Sequence, residues 1–376
     1  MKVQVLQENL QKGLSIVGRA VATRSTLPIT SNVKIETEGT GRLKLSATDM
    51  DIGISAWVGA RVDDAGATTV PSRLISDYVS SLPPAPVHIE IPERGRQVHL
   101  DCGSPGIARN DSTINAMDAE DFPDIPKVAD GVALMLDPKS LKRAIDRVEF
   151  ASASDETRPV LTGVHIKSNE NRLTLAAADG FRLAVSDITL DQAPSAAIEV
   201  IVPARALREL GRLIADTSEP VEMRVNNGRT HVLFALRDIE LVAGLIQGTF
   251  PNYSQLIPPE WNTRVTVKVD EFKREAKIAS IFARDGSGII RLQMESDCLK
   301  VSAAADEIGN NEGVIEAQIE GDASKIAFNS RYLQDVLSAL DGDVKLEMTS
   351  PSSQGVFRPV GDDDYVHVVM PMFVQW

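Results

Sequence analysis

Two cysteines, Cys102 and Cys298, are all that 376 residues contain. They stand far apart in sequence with no metal-like spacing, which excludes a disulfide scaffold and fits two packing thiols in a reducing compartment. No apolar run approaches the roughly 18 residues of a membrane span. The opening stretch, Met1-Lys2-Val3-Gln4-Val5-Leu6-Gln7-Glu8, lacks the long apolar core of a signal peptide. A soluble, cytoplasmic chain is expected, with no membrane partner. Positive charge is also scarce: 39 Lys and Arg stand against 53 Asp and Glu, a net charge of −14. Taken alone, that balance argues against a nucleic-acid partner, because phosphate binding needs Lys and Arg.

Catalytic signatures are missing too. The five histidines, His88, His99, His165, His231 and His367, each lie beside apolar residues of alternating segments, and no pair has metal-ligand spacing. They read as strand residues. There is no phosphate loop, no Gly-x-Ser-x-Gly elbow and no two-histidine metal motif. No catalytic residue, metal or cofactor is expected.

What the chain does have is one phrase written three times: Val70-Pro71-Ser72-Arg73-Leu74-Ile75, Val202-Pro203-Ala204-Arg205-Ala206-Leu207 and Phe328-Asn329-Ser330-Arg331-Tyr332-Leu333. Successive copies stand about 130 residues apart, far beyond the roughly 20–50 residues of a solenoid repeat. Three other landmarks recur in the same order. An amphipathic helix near each start carries Leu10, Leu141 or Phe272. A strand ends in Ala47-Thr48-Asp49, Ala177-Ala178-Asp179 or Ala304-Ala305-Asp306, where Asp suits a turn by bonding nearby backbone. Each copy closes on Phe122-Pro123, Phe250-Pro251 or Met370-Pro371. Proline punctuation near Pro126 and Pro258-Pro259 sets domains at 1–127, 128–258 and 259–376.

Period-2 segments such as Leu43-Lys44-Leu45-Ser46 and Val164-His165-Ile166-Lys167 read as strands. The second helix of copies one and two opens with Pro in its first turn, and Asn329 or Ser330 caps it in copy three. The expectation is an α+β fold of three similar domains, each with two helices packed on antiparallel sheets.

Basic residues concentrate on the helices. The spacing predicts a helix over 203–215, with Arg205, Arg208 and Arg212 on one face and Leu207, Leu210 and Leu213 or Ile214 on the other. The preceding helix carries Lys139, Lys142, Arg143 and Arg147 against Asp137 and Asp146. Copy three has Lys273, Arg274 and Lys277, opposed by Asp270, Glu271 and Glu275, and copy one has Lys12, Arg19, Arg24 and Arg73. Equivalent helices arranged about an axis would pool this charge into one surface that contacts phosphate without reading bases.

A set of phrases then carries a resemblance over the whole length. They are Thr26-Leu27-Pro28-Ile29, Ala67-Thr68-Thr69-Val70-Pro71-Ser72-Arg73, Asp121-Phe122-Pro123, Arg158-Pro159-Val160-Leu161-Thr162-Gly163-Val164, Ala178-Asp179-Gly180-Phe181-Arg182-Leu183-Ala184-Val185, Thr249-Phe250-Pro251-Asn252-Tyr253 and Val368-Val369-Met370-Pro371-Met372. In this order they resemble the bacterial sliding clamp family, the beta subunit of DNA polymerase III. The resemblance implies a head-to-tail homodimer closing a ring of six domains around double-stranded DNA, since a heterologous contact makes a ring when its rotation closes. It implies a non-catalytic processivity factor. Its partners would be the DNA polymerase III catalytic subunit, the clamp loader and repair polymerases, each bound through a short linear motif.

Residue by residue, the resemblance assigns DNA contact to Arg24 and, by alignment of the inward helices, to Lys12, Arg73, Lys139, Lys142, Arg205, Arg208, Lys273 and Lys277. It assigns a partner-peptide pocket to Arg158, Leu161, Ala178, Gly180, Phe181, Leu183, Pro251, Leu256, Asn329, Tyr332, Val368, Met370 and Met372. A dimer seam would join Leu74 and Ile114 to Ile281 and Phe282. The chain departs from the pattern at Pro159 and Val160, where relatives often carry two aromatics near DNA. It departs again at Ala178 and Phe181, where relatives carry a hydroxyl and an imidazole. Phe373-Val374-Gln375-Trp376 runs beyond Met372, so Trp376 is expected to touch a bound peptide or cover the groove. Two other classes remain: a hydrolase using Asp179, Arg182 and Arg158, which lacks a nucleophile–base pair, and a protein scaffold that never touches DNA, which leaves the charge on the helices unexplained.

Overall fold

The computed structural model describes residues 1–22, 26–39, 41–92, 96–103, 109–215, 217–284, 288–305, 307 and 309–376. Arg24 and Asp306 lie outside the described residues.

One order of elements is laid down three times. The first run is β1 (Lys2–Leu6), α1 (Gln7–Val17), β2 (Asn32–Glu38), β3 (Arg42–Thr48), β4 (Ile52–Asp64), β5 (Ala67–Pro71), α2 (Ser72–Ser81), β6 (Pro86–Glu90), β7 (Gln97–Cys102) and β8 (Asn110–Asn115). The second is β9 (Val132–Leu136), α3 (Pro138–Val148), β10 (Gly163–Asn169), β11 (Arg172–Ala178), β12 (Arg182–Thr189), β13 (Glu199–Pro203), α4 (Ala204–Leu213), β14 (Val221–Val225), β15 (His231–Leu236) and β16 (Ile239–Gly244). The third is β17 (Thr263–Lys268), α5 (Val269–Arg284), β18 (Ile289–Glu295), β19 (Cys298–Ala305), β20 (Gly309–Glu316), β21 (Gln318–Gly321), β22 (Ser324–Asn329), α6 (Ser330–Ser338), β23 (Asp343–Met348), β24 (Gly355–Pro359) and β25 (Tyr365–Val369). The last run differs only by the short strand β21. Among the described residues every strand pair is antiparallel, and the fold is α+β as the sequence predicts.

The helices form for the reasons the sequence gives. Leu10, Leu141 and Phe272 are buried at matching positions of α1, α3 and α5. In α4, shorter at both ends than the expected 203–215, Leu207 and Leu210 make the buried stripe, and Ile214 is buried just past its end. Asn329 caps α6, its side chain accepting from the backbone N–H groups of Arg331 and Tyr332. Prolines 71 and 203 close the preceding strands, and the helices begin one residue later. There the ring ends the ladder, one position earlier than the first-turn placement expected. All five histidines lie on strands. The alternation of Val164–Lys167 is incomplete, because His165 is also buried, stacked on Phe250 with ring centroids 5.1 Å apart.

Sheet pairing, however, runs across the repeats. The chain divides into two compact units: Met1–Pro138 with Arg212–Leu245, and Lys139–Gly211 with Ile246–Trp376. The first holds a 12-stranded sheet whose main path is β8-β7-β6-β1-β4-β16-β15-β14-β9, with β2, β3 and β5 branching from it. The second holds a nine-stranded sheet, β13-β10-β11-β12-β25-β24-β23-β17-β21, and a four-stranded one, β20-β19-β18-β22. The strands of the second run are thus shared between the units. In each unit, strands of two consecutive runs meet and remove an open edge, β4 against β16 and β12 against β25. The equivalence extends to single bonds: Gly244 N–H donates to Asp51 O at 3.1 Å, and Met370 N–H donates to Phe181 O at 2.8 Å.

Helices cover these sheets. In the first unit α1 packs on α2, β3 and β4, and in the second α5 packs on α6 and on β18–β20. Helix α3 lies against α4 at Gly211, where a Cβ would sit 3.3 Å from Ile145 Cγ2. Only glycine allows that approach without displacement.

Candidate functional site

An apolar surface forms in the second unit where β11, β12 and β25 adjoin. Leu183 pairs with Ala178 across β11–β12 and with Val368 across β12–β25. Leu183 and Val368 share one buried cluster with Val356, and Leu161 shares another with Phe250. Ala178 and Tyr253 pack against both clusters, so the two form a continuous floor. Pro251 follows Phe250, and Leu256 lies on the next turn with 49% of its surface exposed. Its carbonyl accepts from Gln354 Nε2 at 3.3 Å.

The rim is built by a turn. Asp179 Oδ1 accepts from the backbone N–H groups of Phe181 and Arg182 at 2.8 and 3.0 Å. Gly180, at φ +95°, makes the corner, and the Arg158 guanidinium lies so close that a Cβ would be 2.9 Å from its Nη1. The turn thrusts Phe181 outward, 58% exposed, against Tyr332 at a centroid distance of 6.4 Å. The Asn329 cap starts the helix that carries Tyr332. Met370 and Met372 complete the rim, 46% and 38% exposed. The residues that the resemblance assigned to a partner pocket all lie in the second unit.

Sequence reasoning missed the residue that organises this rim. Arg182, buried on β12, donates through Nε to Asp179 at 3.1 Å, through Nη1 to Asp335 at 2.5 Å and through Nη2 to Phe150 O at 2.6 Å. Its guanidinium faces the Tyr332 ring at 4.5 Å and the Phe150 ring at 5.4 Å. From the sequence it enters only within the Ala178–Val185 phrase and in the alternative hydrolase set, with no part in the pocket. Asp179 and Asp335 lie 156 residues apart in sequence, and nothing local announces that one arginine joins them. Burial raises the Tyr332 hydroxyl pKa, keeping it a neutral donor and acceptor.

A second buried network joins α3 to the β24–β25 hairpin. Arg147 donates to Asp362 at 2.8 Å, and Tyr365 Oη donates to Arg147 O at 3.1 Å. Burial pushes the Asp362 carboxyl up, but the Arg147 and Asp364 N–H donors and the charges of Arg147 and Arg143 outweigh it, leaving the pKa low. Arg147 was expected among the helix charges facing solvent. It is 7% exposed, because Asp362 draws it into the fold.

The helix cations are otherwise outward. Lys12 and Arg73 are exposed in the first unit, as are Lys139, Arg205, Arg208, Lys273 and Lys277 in the second, while Lys142 is half-buried. Several are partnered: Lys142 with Asp146, Arg208 with Glu149 at 2.8 Å and Arg73 loosely with Asp77 at 3.9 Å. Where α3 and α4 touch, the Lys142 stem lies beside Gly211, and Arg208 reaches Glu149 just past the end of α3. Of the seam residues, Leu74 and Ile281 are 52% and 56% exposed, Phe282 is half-buried, and Ile114 points into its own sheet at 5% exposure. Among the described residues no three His, Cys, Asp or Glu converge as metal ligands, and no helix is long and apolar enough to cross a membrane.

A thrice-repeated α+β chain with strands paired between repeats, basic helices α3 and α4 and an apolar surface beside β12 has the architecture of a DNA clamp. The N-terminal, central and C-terminal domain families of the DNA polymerase III beta subunit match residues 1–126, 135–252 and 254–373. The chain belongs to that family. It is 34% identical over 394 residues to the beta sliding clamp of Synechocystis sp., with 99% of each chain covered. Solved structures agree: the DNA polymerase sliding clamp of Bacillus subtilis superposes with a TM-score of 0.92 at 27% identity, with each chain covered in full. A Pseudomonas aeruginosa sliding clamp bound to griselimycin gives 0.90 at 27% identity, again over both chains in full.

Proposed function

We propose that this chain is a non-catalytic processivity clamp that closes head to tail with a second copy around duplex DNA and tethers a polymerase by its groove. The observation that carries this reading is the match of all three beta-subunit domain families along nearly the whole chain. Two edge strands fit the closure. β8 ends the sheet of the first unit and β20 ends the four-stranded sheet of the second, each with one backbone edge open. Such edges pair readily with another chain. In the ring, Leu74 and Ile114 of one subunit would meet Ile281 and Phe282 of the other. Three similar domains per subunit, 1–127, 128–258 and 259–376, would make six around the hole.

Arg24, Arg73, Lys139, Lys142, Arg205, Arg208, Lys273 and Lys277 would then face the duplex. Ion pairs to Asp146 and Glu149 temper two of them. Weak, sequence-independent contact of this kind suits sliding, while closure supplies retention. A net charge of −14 keeps DNA off the remaining surface. The groove around Leu161, Leu183, Val368, Phe181 and Tyr332 would take a short apolar motif. Its owners would be the DNA polymerase III catalytic subunit, the clamp loader and repair polymerases in the cytoplasm.

Light scattering over a dilution series, with retention on nicked circular and linear DNA, tests the proposal. A dimer that stays on circles once loaded and slides from linear ends is expected. A monomer at every concentration, or equal retention on both DNAs, would refute the ring.

A further inference from the structure

We infer that Trp376 and Lys325 form a latch that holds residues 373–376 along the open edge of β22 and so keeps this apolar segment out of the groove. The inference rests on reading the groove as a docking site. Strand β22 is hydrogen-bonded to β18 on one side only. Beyond β25 the chain leaves the groove rim at Met370, whose N–H donates to Phe181 O. Two residues later Met372 N–H donates to Ala327 O, on the free side of β22, at 2.7 Å. The run ends with Lys325 Nζ over the Trp376 ring, 4.8 Å from its centroid. From Met372 to Trp376 the segment thus runs back along β22, from Ala327 to Lys325. Trp376 thus rests on Lys325 of β22, where the sequence reading placed it at the groove.

The anchor fixes the end of the segment. Past Met372, Val374 is half-buried, Phe373 is 86% exposed, and Lys325 holds Trp376. Four residues extend to about 13 Å, and the segment starts near Phe181, whose carbonyl accepts from Met370 N–H, so a released Phe373 or Trp376 comes within range of the exposed Phe181 ring and the half-buried Tyr332 ring. Released, the segment becomes a tethered competitor for its own groove, and tethering gives even a weak ligand a high effective concentration. Trp376 and Lys325 are therefore positioning residues, acting on ligands they do not touch.

Griselimycin, seen bound to the Pseudomonas aeruginosa clamp, serves as the probe in calorimetric titration of the full chain. Trp376→Ala and Lys325→Met are each expected to weaken binding about two- to fivefold, the range of an exposed cation–π contact. Lys325→Arg, which keeps a cation over the ring, should titrate like the parent, and the double variant should be no weaker than either single one. Phe181→Asp and Tyr332→Ala report on the groove itself. If those two abolish binding while Trp376→Ala matches the parent, or if Lys325→Arg fails to preserve affinity, the latch is wrong and the groove stands. If neither groove variant alters the titration, the docking reading fails and the latch with it.

Discussion

Replacing Arg182 by Met keeps most of the stem volume and removes the charge and three hydrogen bonds. Breaking a buried ion pair by deleting one partner typically costs about 3–5 kcal/mol, because the other charge stays buried. Here two features reduce the penalty. Asp335 is 30% exposed and has Arg331 Nε within 4.0 Å, so it is partly compensated. Asp179 keeps two backbone donors, from residues 181 and 182. Phe150 O and Asp179 Oδ2 lose their Arg182 donors outright. The expected loss is therefore about 3 kcal/mol, the low end of that range. Urea unfolding checks it in a Trp57→Phe background, where Trp261 and Trp376 both report on the second unit. Asp335→Asn alone should cost about 1 kcal/mol. The double variant should fall short of additivity by at least about 1 kcal/mol, since the residues share one network. A loss below about 1 kcal/mol for Arg182→Met would refute the view that this arginine organises the rim.

Other perturbations follow from single features. His367 is fully buried between Phe150 and Tyr365, and burial depresses its pKa from 6.5 to about 3. The unfolded chain therefore takes this proton first, so its stability contribution is complete above pH 6.5 and is lost as pH falls toward 3. That amounts to about 2 kcal/mol between pH 6.5 and 5, and His367→Gln should flatten this part of the pH–stability curve. Gly180→Ala should destabilise by about 1–2 kcal/mol through its positive φ and the Arg158 clash, with the loss read as a lower urea midpoint. Met50 occupies the corresponding turn of the first repeat at φ +83°, so Met50→Gly should stabilise by up to about 1 kcal/mol in the same assay. Asn329→Ala should cost about 1 kcal/mol by uncapping α6.

The amino-acid sequence by itself determined the three-copy organisation, the α+β class, the core stripes of the helices and the family. Those features rest on local periodicity and on phrases such as Ala178–Val185, which keep their meaning wherever they lie in space. The residues proposed for the groove came from the same phrases, through the resemblance. Tertiary structure alone decided how strands are shared, with the second repeat divided between two compact units because β4 and β12 each needed a partner from the next repeat. It alone gave Arg182 its role, since the carboxylates of Asp179 and Asp335 meet only after β12 and α6 have docked. The same holds for Arg147, read as a surface charge from its helix and buried by Asp362, 215 residues away. Trp376 took the edge of β22 for a like reason: an open backbone edge and a lysine are features of a folded sheet, and no period in a sequence encodes them.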